Sequence, residues 1–263
     1  MFIGHDHLVK DFSNLVKENC LAQGYIFFGE PQVGKFYFAK HLANLLENKS
    51  FEISHRPLQD ALVLEDATGI DSMRELKGFL WQKPAISSKR LVIINNADNL
   101  TSQAENAILK ITEEPPEHGM IILITSHLEN IMPTILSRMQ KIYFGRLSDN
   151  EMGKVLDNKE IVSLSFGRPG RAMSLLNDPS AKEASKYVAY FLKSRGPEHS
   201  NLIKDLIEQQ KENPKLLDLF FEELTFQLRK DKVKNVAMLK SVLERLSAIK
   251  GLNTNKRLQL EAI

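Results

Sequence analysis

The sequence has little of several features that mark particular classes of protein. Among 263 residues Cys20 is the only cysteine, which excludes an internal disulfide and a cysteine-based zinc cluster. The seven histidines are scattered without the spacing of metal ligands, so we expect no metal site. No apolar run approaches the roughly 20 residues of a membrane-spanning helix, and the N-terminus lacks the basic and then apolar pattern of a secretory signal. We therefore expect a cytoplasmic protein that does not enter a membrane.

A strong charge of one sign is also missing. The formal net charge is +2 at pH 7, far from the basic balance of proteins that hold nucleic acid by themselves. Any contact with DNA should therefore be local or shared with partners. With 43% hydrophobic and 26% charged residues, the chain has an ordinary globular composition and is long enough for two or three domains.

Two short apolar runs, Leu91 to Ile94 and Met120 to Ile124, are typical of strands buried on both faces of a parallel sheet. The segment between them has the apolar stripe of a helix, formed by Ala104, Ile108 and Ile111. Strand, helix and strand together predict one right-handed crossover unit.

Two patterns predict where helices begin, and one predicts where a helix ends. Ser102 with Glu105, and Ser72 with Glu75, have the spacing of a capping box, in which each side chain bonds the backbone of the other residue. Pro115 ends the helix that Ser102 begins, because proline cannot continue an α-helix.

The segments LVIINNADNLTSQAENAILKITEEPP and ILITSHLENIMPTILSRMQ resemble the core of bacterial DNA polymerase III clamp-loader subunits, and among them the delta-prime type. The family pattern has a hydrophobic strand, a helix ending in Leu-Glu-Glu-Pro-Pro and a Ser-Arg-Cys turn. Ile111 to Pro116 and Ser137 to Met139 represent the last two features, with Met139 in place of the usual cysteine. The resemblance covers roughly Met1 to Leu176, whereas the last third matches only in being helical.

This resemblance implies an α/β fold of the AAA+ type in three parts. Residues 1–146 would form a parallel-sheet core with a degenerate phosphate loop, and residues 147–178 a small helical lid. Residues 179–263 would form an all-helical collar that mediates oligomerisation. Some delta-prime relatives carry a zinc module after the first helix, but Ser50 to Leu58 is too short for one and has no cysteine, so we expect no zinc.

A phosphate-loop pattern follows the apolar run Tyr25 to Phe28. Gly29, Gly34 and Lys35 stand where such a loop needs glycines for its backbone and a lysine for the terminal phosphates. Phe36 replaces the hydroxyl residue that would hold magnesium. Two interpretations remain open, a vestigial loop that serves only as a turn and a loop that binds ATP without cleaving it.

Nucleotide hydrolases of this class carry Asp-Glu after the strand that is Leu91 to Ile94 here. Asn95 and Asn96 occupy those positions. Neutral amides supply neither the negative charge that magnesium favours nor a base near neutral pH. Asp98 belongs to the start of the next helix and need not substitute for them. We therefore expect no intrinsic ATPase activity and no bound cofactor.

Arg138 follows Ser137 in a turn, so we expect it at the rim of the core. The resemblance implies an arginine finger that acts on a neighbouring subunit, since a guanidinium suits the charge on a transferring γ-phosphoryl group. An intrachain ion pair is the alternative. Glu113 and Glu114 are not a catalytic dyad, because consecutive helix residues point about 100° apart. They would face either a neighbour's basic surface or solvent.

Three further segments carry weaker predictions. Gly167 to Ala172 resembles the lid motif, in which the sensing arginine would fall on Gly170, so the role of Arg171 stays open. Thr125-Ser126 resembles the polar sensor of active relatives, although its hydrogen bonds could simply cap the next turn. The basic loop Ser87 to Arg90 could contact a phosphate backbone or only solvent.

We therefore expect a non-hydrolysing, delta-prime-like scaffold in the DNA polymerase III holoenzyme, which completes a ring of ATPase subunits during sliding-clamp loading. The partners implied by the resemblance are ATPase subunits of the gamma/tau type, the delta subunit and the sliding clamp, with primer-template DNA reached through the complex. An active AAA+ motor subunit and an ATP-binding regulatory module are the alternatives.

Overall fold

The computed structural model describes residues 2, 4–52, 57–65, 69–154, 156–229, 232–251 and 256–261. The chain consists of two compact units, residues 1–172 and 173–263. Each unit has its own hydrophobic core.

The first unit contains a parallel sheet of five strands. These are β1 (Gly24–Phe28), β2 (Ala61–Leu64), β3 (Arg90–Ile94), β4 (Gly119–Thr125) and β5 (Gln140–Tyr143). They lie in the order β2-β3-β4-β1-β5, and each pair is parallel. The helices along this part of the chain are α1 (Asp6–Lys17), α2 (Lys35–Asn48), α3 (Ile70–Leu80), α4 (Ser102–Glu113), α5 (Pro133–Leu136), α6 (Asp149–Gly153), α7 (Lys159–Ser165) and α8 (Pro169–Asn177).

The central strands are covered on both faces, as the apolar runs predict. All residues of β3 and β4 are buried, and Val92 pairs with Ile121 in register. Successive side chains of a strand point to opposite faces. Phe27 therefore packs in the core formed with α1 and α2, while Ile26 packs in the core formed with α3 and α4. The crossover unit β3-α4-β4 is confirmed.

Both predicted capping boxes are wrong. The N-cap of α4 is Thr101, whose hydroxyl accepts a hydrogen bond from the amide of Ala104 at 3.3 Å. Glu105 does not fold back on the helix start, because its buried carboxylate accepts from the amide of Met132 at 2.9 Å. Helix α3 begins at Ile70 after Gly69, which provides no side-chain cap. A tertiary contact and an earlier helix start override the local spacing in these two cases.

The described residues of the second unit form helices and their connections. The remaining helices are α9 (Pro179–Lys193), α10 (Pro197–Glu212), α11 (Leu216–Arg229), α12 (Lys232–Gly251) and α13 (Lys256–Glu261). Phe191, Phe220 and Phe221 are buried together in the core of this bundle. Phe220 and Phe221 do not fit one narrow apolar stripe on α11, because several neighbouring helices bury this helix over a broad arc.

Candidate functional site

The phosphate-loop residues form a tight turn between β1 and α2. Gly29 has φ +137°, and a Cβ atom placed there would lie 2.2 Å from the carbonyl oxygen of Phe144. Gly34 has φ +105°, in a region that L side chains rarely adopt. Both glycines are therefore required by the backbone itself, whether or not a phosphate is ever bound.

The amine of Lys35 is bound by the loop that precedes it. Its Nζ donates hydrogen bonds to the carbonyl oxygens of Gly29 at 2.5 Å and Glu30 at 2.7 Å, and to the hydroxyl of Ser126 at 3.2 Å. Only 6% of Lys35 is exposed. Burial lowers the pKa of Lys35 to about 8, although the charges of Asp98 and Glu30 act in the opposite direction. A bound phosphate would have to replace these carbonyl and hydroxyl oxygens as the hydrogen-bond acceptor of the Lys35 amine.

The positions that would handle magnesium and water carry no carboxylate or hydroxyl. Phe36 is half-buried, packs against the core, and lies under the ammonium group of Lys40 at 4.2 Å from the ring centroid. Asn95 and Asn96 follow β3, and Asn96 adopts a left-handed conformation with φ 51° before a short 3-10 turn. The arrangement offers magnesium neither the hydroxyl nor the paired carboxylates of a hydrolase.

Asp98 and the polar pair after β4 are hydrogen-bonded to their surroundings. The hydroxyl of Thr125 donates to a carboxylate oxygen of Asp98 at 3.0 Å and accepts from the amide of His127 at 2.9 Å. Thr125 therefore caps the turn after β4, which is one of the two interpretations given above, while Ser126 contacts Lys35. The contact between Ser126 and Lys35 joins residues 91 positions apart, so no local pattern predicts it.

Glu30, inside the phosphate loop, is held by two arginines that sequence reasoning missed. The guanidinium of Arg146 lies 2.8 Å from one carboxylate oxygen, and that of the buried Arg168 lies 3.1 Å from the other. Ion pairs between residues more than 100 positions apart leave no local pattern in a sequence. The indirect signal is that Arg168 lies in the segment Gly167 to Ala172, whose sequence resembles a lid motif.

The segment Gly167 to Ala172 contacts the loop through its backbone as well. The amide of Gly170 donates to the carbonyl oxygen of Gln32 at 2.9 Å, and an added Cβ at Gly170 would lie 3.0 Å from the same oxygen. A side chain at position 170 would therefore crowd the loop. Arg171 is buried and donates to the carbonyl oxygen of Leu164 at 2.9 Å. The first helical turn of α8 thus closes over the loop.

Arg138 lies at the rim of the core, at the amino ends of the strands, whereas the phosphate loop lies at their carboxyl ends. Its Nη1 donates to the carbonyl oxygen of Thr134 at 2.9 Å, and its Nη2 lies 3.2 Å from Glu113. The side chains of Arg138 and Glu113 are 39% and 46% exposed, and pairs at such sites contribute only ~0 to 1 kcal/mol. Within this chain Arg138 thus forms the ion pair given above as the alternative, through a contact weak enough to be exchanged.

Asp60 and Arg90 form a buried ion pair. The prediction that Arg90 belongs to an exposed basic loop is therefore wrong. Arg90 is buried, and its Nη1 lies 2.6 Å from Asp60 Oδ1, so it is not available to a phosphate backbone. Asp60 also accepts three backbone hydrogen bonds at 2.7 Å each, from Ala85, Ile86 and Ser87. Asp60 directly precedes β2 and Arg90 is the first residue of β3, and the pairing of Ala61 with Leu91 brings the two charges side by side.

A family model described as DNA polymerase III, delta subunit, matches residues 4–148, which is more than half of the chain. The chain belongs to this DNA polymerase III delta-subunit family. It is 27% identical over 183 residues to DNA polymerase III subunit tau of Bacillus subtilis, a match covering 60% of this chain and 32% of the relative. It is 28% identical over 219 residues to subunit gamma/tau of Mycobacterium bovis, covering 72% and 38%. The matched region thus spans about a third of the length of these relatives.

Solved structures establish the fold of this delta-family chain. A DNA polymerase III gamma subunit-related protein from Thermotoga maritima superposes with a TM-score of 0.59 at 21% identity, covering 96% of each chain. The RuvB Holliday junction branch migration motor of Thermotoga maritima superposes with a TM-score of 0.52 at 13% identity, covering 98% of this chain and 88% of RuvB. The predicted α/β fold of the AAA+ type, with a mostly helical C-terminal part, is confirmed. Membership of the clamp-loader family is confirmed, and the delta-prime type remains a prediction.

Two features are absent from the described residues. None of their helices has the length and apolar character needed to cross a bilayer. No cluster of three or more His, Cys, Asp or Glu side chains with the arrangement of a metal site occurs among them.

Proposed function

We propose that the chain is a delta-prime-like subunit of the DNA polymerase III clamp loader that does not hydrolyse ATP. It completes a ring of ATPase subunits and supplies Arg138 to the nucleotide site of one neighbour. The observation that carries this proposal is the state of Lys35, whose amine donates its hydrogen bonds to carbonyl oxygens of its own loop.

Three separate losses support the absence of hydrolysis. Phe36 cannot coordinate magnesium, and Asn95 and Asn96 cannot position the ion or activate water as carboxylates do. Glu30 adds a fourth obstacle, because Arg146 and Arg168 hold it in the loop that phosphates would enter. An active motor subunit needs the lost functions together, so this alternative has the least support.

The location of Arg138 supports an action on another chain. A cleft of about 170 Å³ beside Arg138 is lined by Gly24, Gly119 and Gln140, the first residues of three strands. The phosphate loop follows the last residue of β1, at the opposite edge. Arginine fingers supplied by a neighbour can increase hydrolysis by ~10³ or more in other nucleotide hydrolases.

The proposed organisation has a core over residues 1–146, a lid over 147–178 and an oligomerising collar over 179–263. The proposed partners are gamma/tau-type ATPase subunits, the delta subunit and the sliding clamp, with primer-template DNA bound through the complex. With these partners, the proposed location is the cytoplasm.

The test is to reconstitute the loader with wild-type or Arg138→Ala protein and to measure DNA-dependent, clamp-stimulated ATP turnover alongside assembly by sedimentation. We expect equal assembly and slower turnover for the variant. Arg195→Ala, at an exposed arginine of the other unit, is the matched control. Equal turnover from equally assembled complexes would overturn the finger role. Turnover by the isolated protein that Lys35→Ala abolishes would overturn the scaffold role.

A second candidate function, an ATP-binding regulatory module, is favoured by one observation, the retention of Gly34 and Lys35. Equilibrium binding of a fluorescent ATP analogue to the isolated protein separates the two. Saturable binding that Lys35→Ala removes supports the regulatory module, and its absence supports the scaffold.

A further inference from the structure

One face of α9 carries a stripe of exposed cationic and aromatic side chains. Its members are Lys182, Lys186, Tyr190 and Lys193. Their spacing of four, four and three residues places them on one side of the helix, because residues three and four apart are neighbours on a helix surface. Tyr190 is 65% exposed. Because α9 rises ~1.5 Å per residue, the stripe extends ~16 Å.

The lysines of this stripe are not in ion pairs within the described part of the chain, although the carboxylates of Glu183 and Asp205 line the same groove. Helix α9 contains three lysines against one acidic residue, Glu183. Its net charge therefore equals that of the whole 263-residue chain, +2. The stripe is therefore one local concentration of positive charge, which a nearly neutral chain needs for any contact with nucleic acid.

The stripe borders a groove of about 720 Å³ between α9 and α10, which Leu202 and Asp205 also line. The hydroxyl of Tyr187 donates to Asp205 at 2.5 Å across this groove. Burial and the adjacent Asp205 carboxylate raise the pKa of Tyr187, so the hydroxyl keeps its proton and the bond at neutral pH. This hydrogen bond links α9 to α10, so the lysines project from a helix that is held against its neighbour.

We propose that this face binds single-stranded nucleic acid. The lysines would contact successive phosphates, an interaction that is independent of sequence and sensitive to salt. The ring of Tyr190 would stack on a base, which requires an unpaired strand because duplex bases are already stacked. Membership of the DNA polymerase III delta-subunit family favours a nucleic acid over an acidic protein, which would also pair with the lysines but offers no base for Tyr190. The proposal is independent of the finger role of Arg138.

The test uses the full-length chain and a fluorescein-labelled oligothymidylate, with binding measured by anisotropy at several salt concentrations. Lys182→Gln/Lys186→Gln removes two phosphate contacts, and Lys211→Gln/Lys215→Gln makes the same charge change at exposed positions of the same unit. Tyr190→Ala removes the stacking ring, and Tyr190→Phe retains it. Circular dichroism checks that each variant keeps its helices.

Three contacts predict a slope of about −2 for log affinity against log salt, and the stripe variant should lose about two thirds of that slope. We expect Tyr190→Ala to weaken binding about fivefold or more at an unchanged slope, with Tyr190→Phe close to wild type. Equal binding by wild type and the stripe variant would overturn the proposal, as would an equal loss in the matched control. Competition by polyglutamate as effective as that by unlabelled oligonucleotide would assign the face to an acidic protein instead.

Discussion

Lys35 and Arg138 lie at opposite ends of the strands of the same parallel sheet. Lys35 follows the carboxyl end of β1, and Arg138 precedes the amino end of β5, which pairs with β1 in parallel from Tyr25 and Gln140 onward. A strand of five residues is ~16 Å long. Arg138 is therefore too far away to serve the loop of its own chain, so any contact that it makes with a phosphate involves another molecule.

The ion pair with Glu113 gives a way to separate the two roles of Arg138. We predict that Glu113→Gln, which removes the ion pair and keeps the guanidinium, leaves ATP turnover of the reconstituted loader within about twofold of wild type. The reason is that an exposed pair contributes only ~0 to 1 kcal/mol, whereas a finger acts through its own charge. Steady-state turnover and sedimentation of the two complexes provide the measurement.

If Glu113→Gln and Arg138→Ala instead reduced turnover by the same factor, the pair itself would be the functional unit. Glu114→Gln, at the next exposed carboxylate of the same helix end, controls for the loss of one negative charge.

The buried amine of Lys35 predicts an unusual dependence of stability on pH. The folded pKa of about 8 lies below the ordinary value of 10.5, so the unfolded chain binds more protons between these values. The free energy of unfolding of wild type, measured against that of Lys35→Met, should therefore rise from about pH 8 to about pH 10, by at most ~3 kcal/mol. Urea unfolding at each pH gives the two curves, with exposed Lys141→Met as the control. Parallel curves would mean that the amine is not desolvated.

How much of the fold the sequence predicts depends on how local each signal is. The strands β3 and β4 were predictable because burial on both faces requires an uninterrupted apolar run. The capping box at Ser102 was wrong because Glu105 is drawn to the amide of Met132, which lies 27 positions further along the chain. Phe36, Asn95 and Asn96 could be recognised from the sequence because each is read from its position in a local motif. The contacts of Glu30 with Arg146 and Arg168 could not, because they join residues more than 100 positions apart.

The buried pair of Asp60 and Arg90 predicts a sensitivity to acid. Burial opposes ionisation of Asp60, but hydrogen bonds from Ser87, Ala85, Ile86 and Arg90 outweigh it and lower the pKa to about 2, below the usual 3.8. The stability from this carboxylate is thus complete above about pH 4 and is lost as the pH falls towards 2. Asp60→Asn should cost ~3 to 5 kcal/mol at neutral pH, because it leaves a buried arginine without its counter-charge.

Urea unfolding at pH 7 and pH 3 checks both parts of the Asp60 prediction. Asp11→Asn, at an exposed aspartate of the same unit, should change the free energy of unfolding by less than ~0.5 kcal/mol. A cost below 1 kcal/mol for Asp60→Asn would show that the amide satisfies the loop as well as the carboxylate does.

Residues 1–178 should fold without the C-terminal helices but should no longer enter the complex. The two sheet-facing cores consist entirely of residues before position 145, and the bundle core entirely of residues after position 183. Neither of the two sheet-facing cores loses a member when the chain ends at Asp178, whereas the whole bundle core is removed. We therefore expect cooperative urea unfolding of the fragment and no cosedimentation with gamma/tau-type ATPase subunits.

A milder change tests the proposed collar role of residues 179–263 in the full-length chain. Val236 and Leu243 are 61% and 45% exposed and lie seven residues apart on α12, which places them on one side of that helix. Exposed apolar side chains that share a helix face are typical of contact surfaces. Val236→Ser/Leu243→Ser should therefore weaken assembly by tenfold or more and leave the unfolding midpoint nearly unchanged, since neither side chain is buried. Full-affinity assembly of both the fragment and this variant would remove the collar role from residues 179–263.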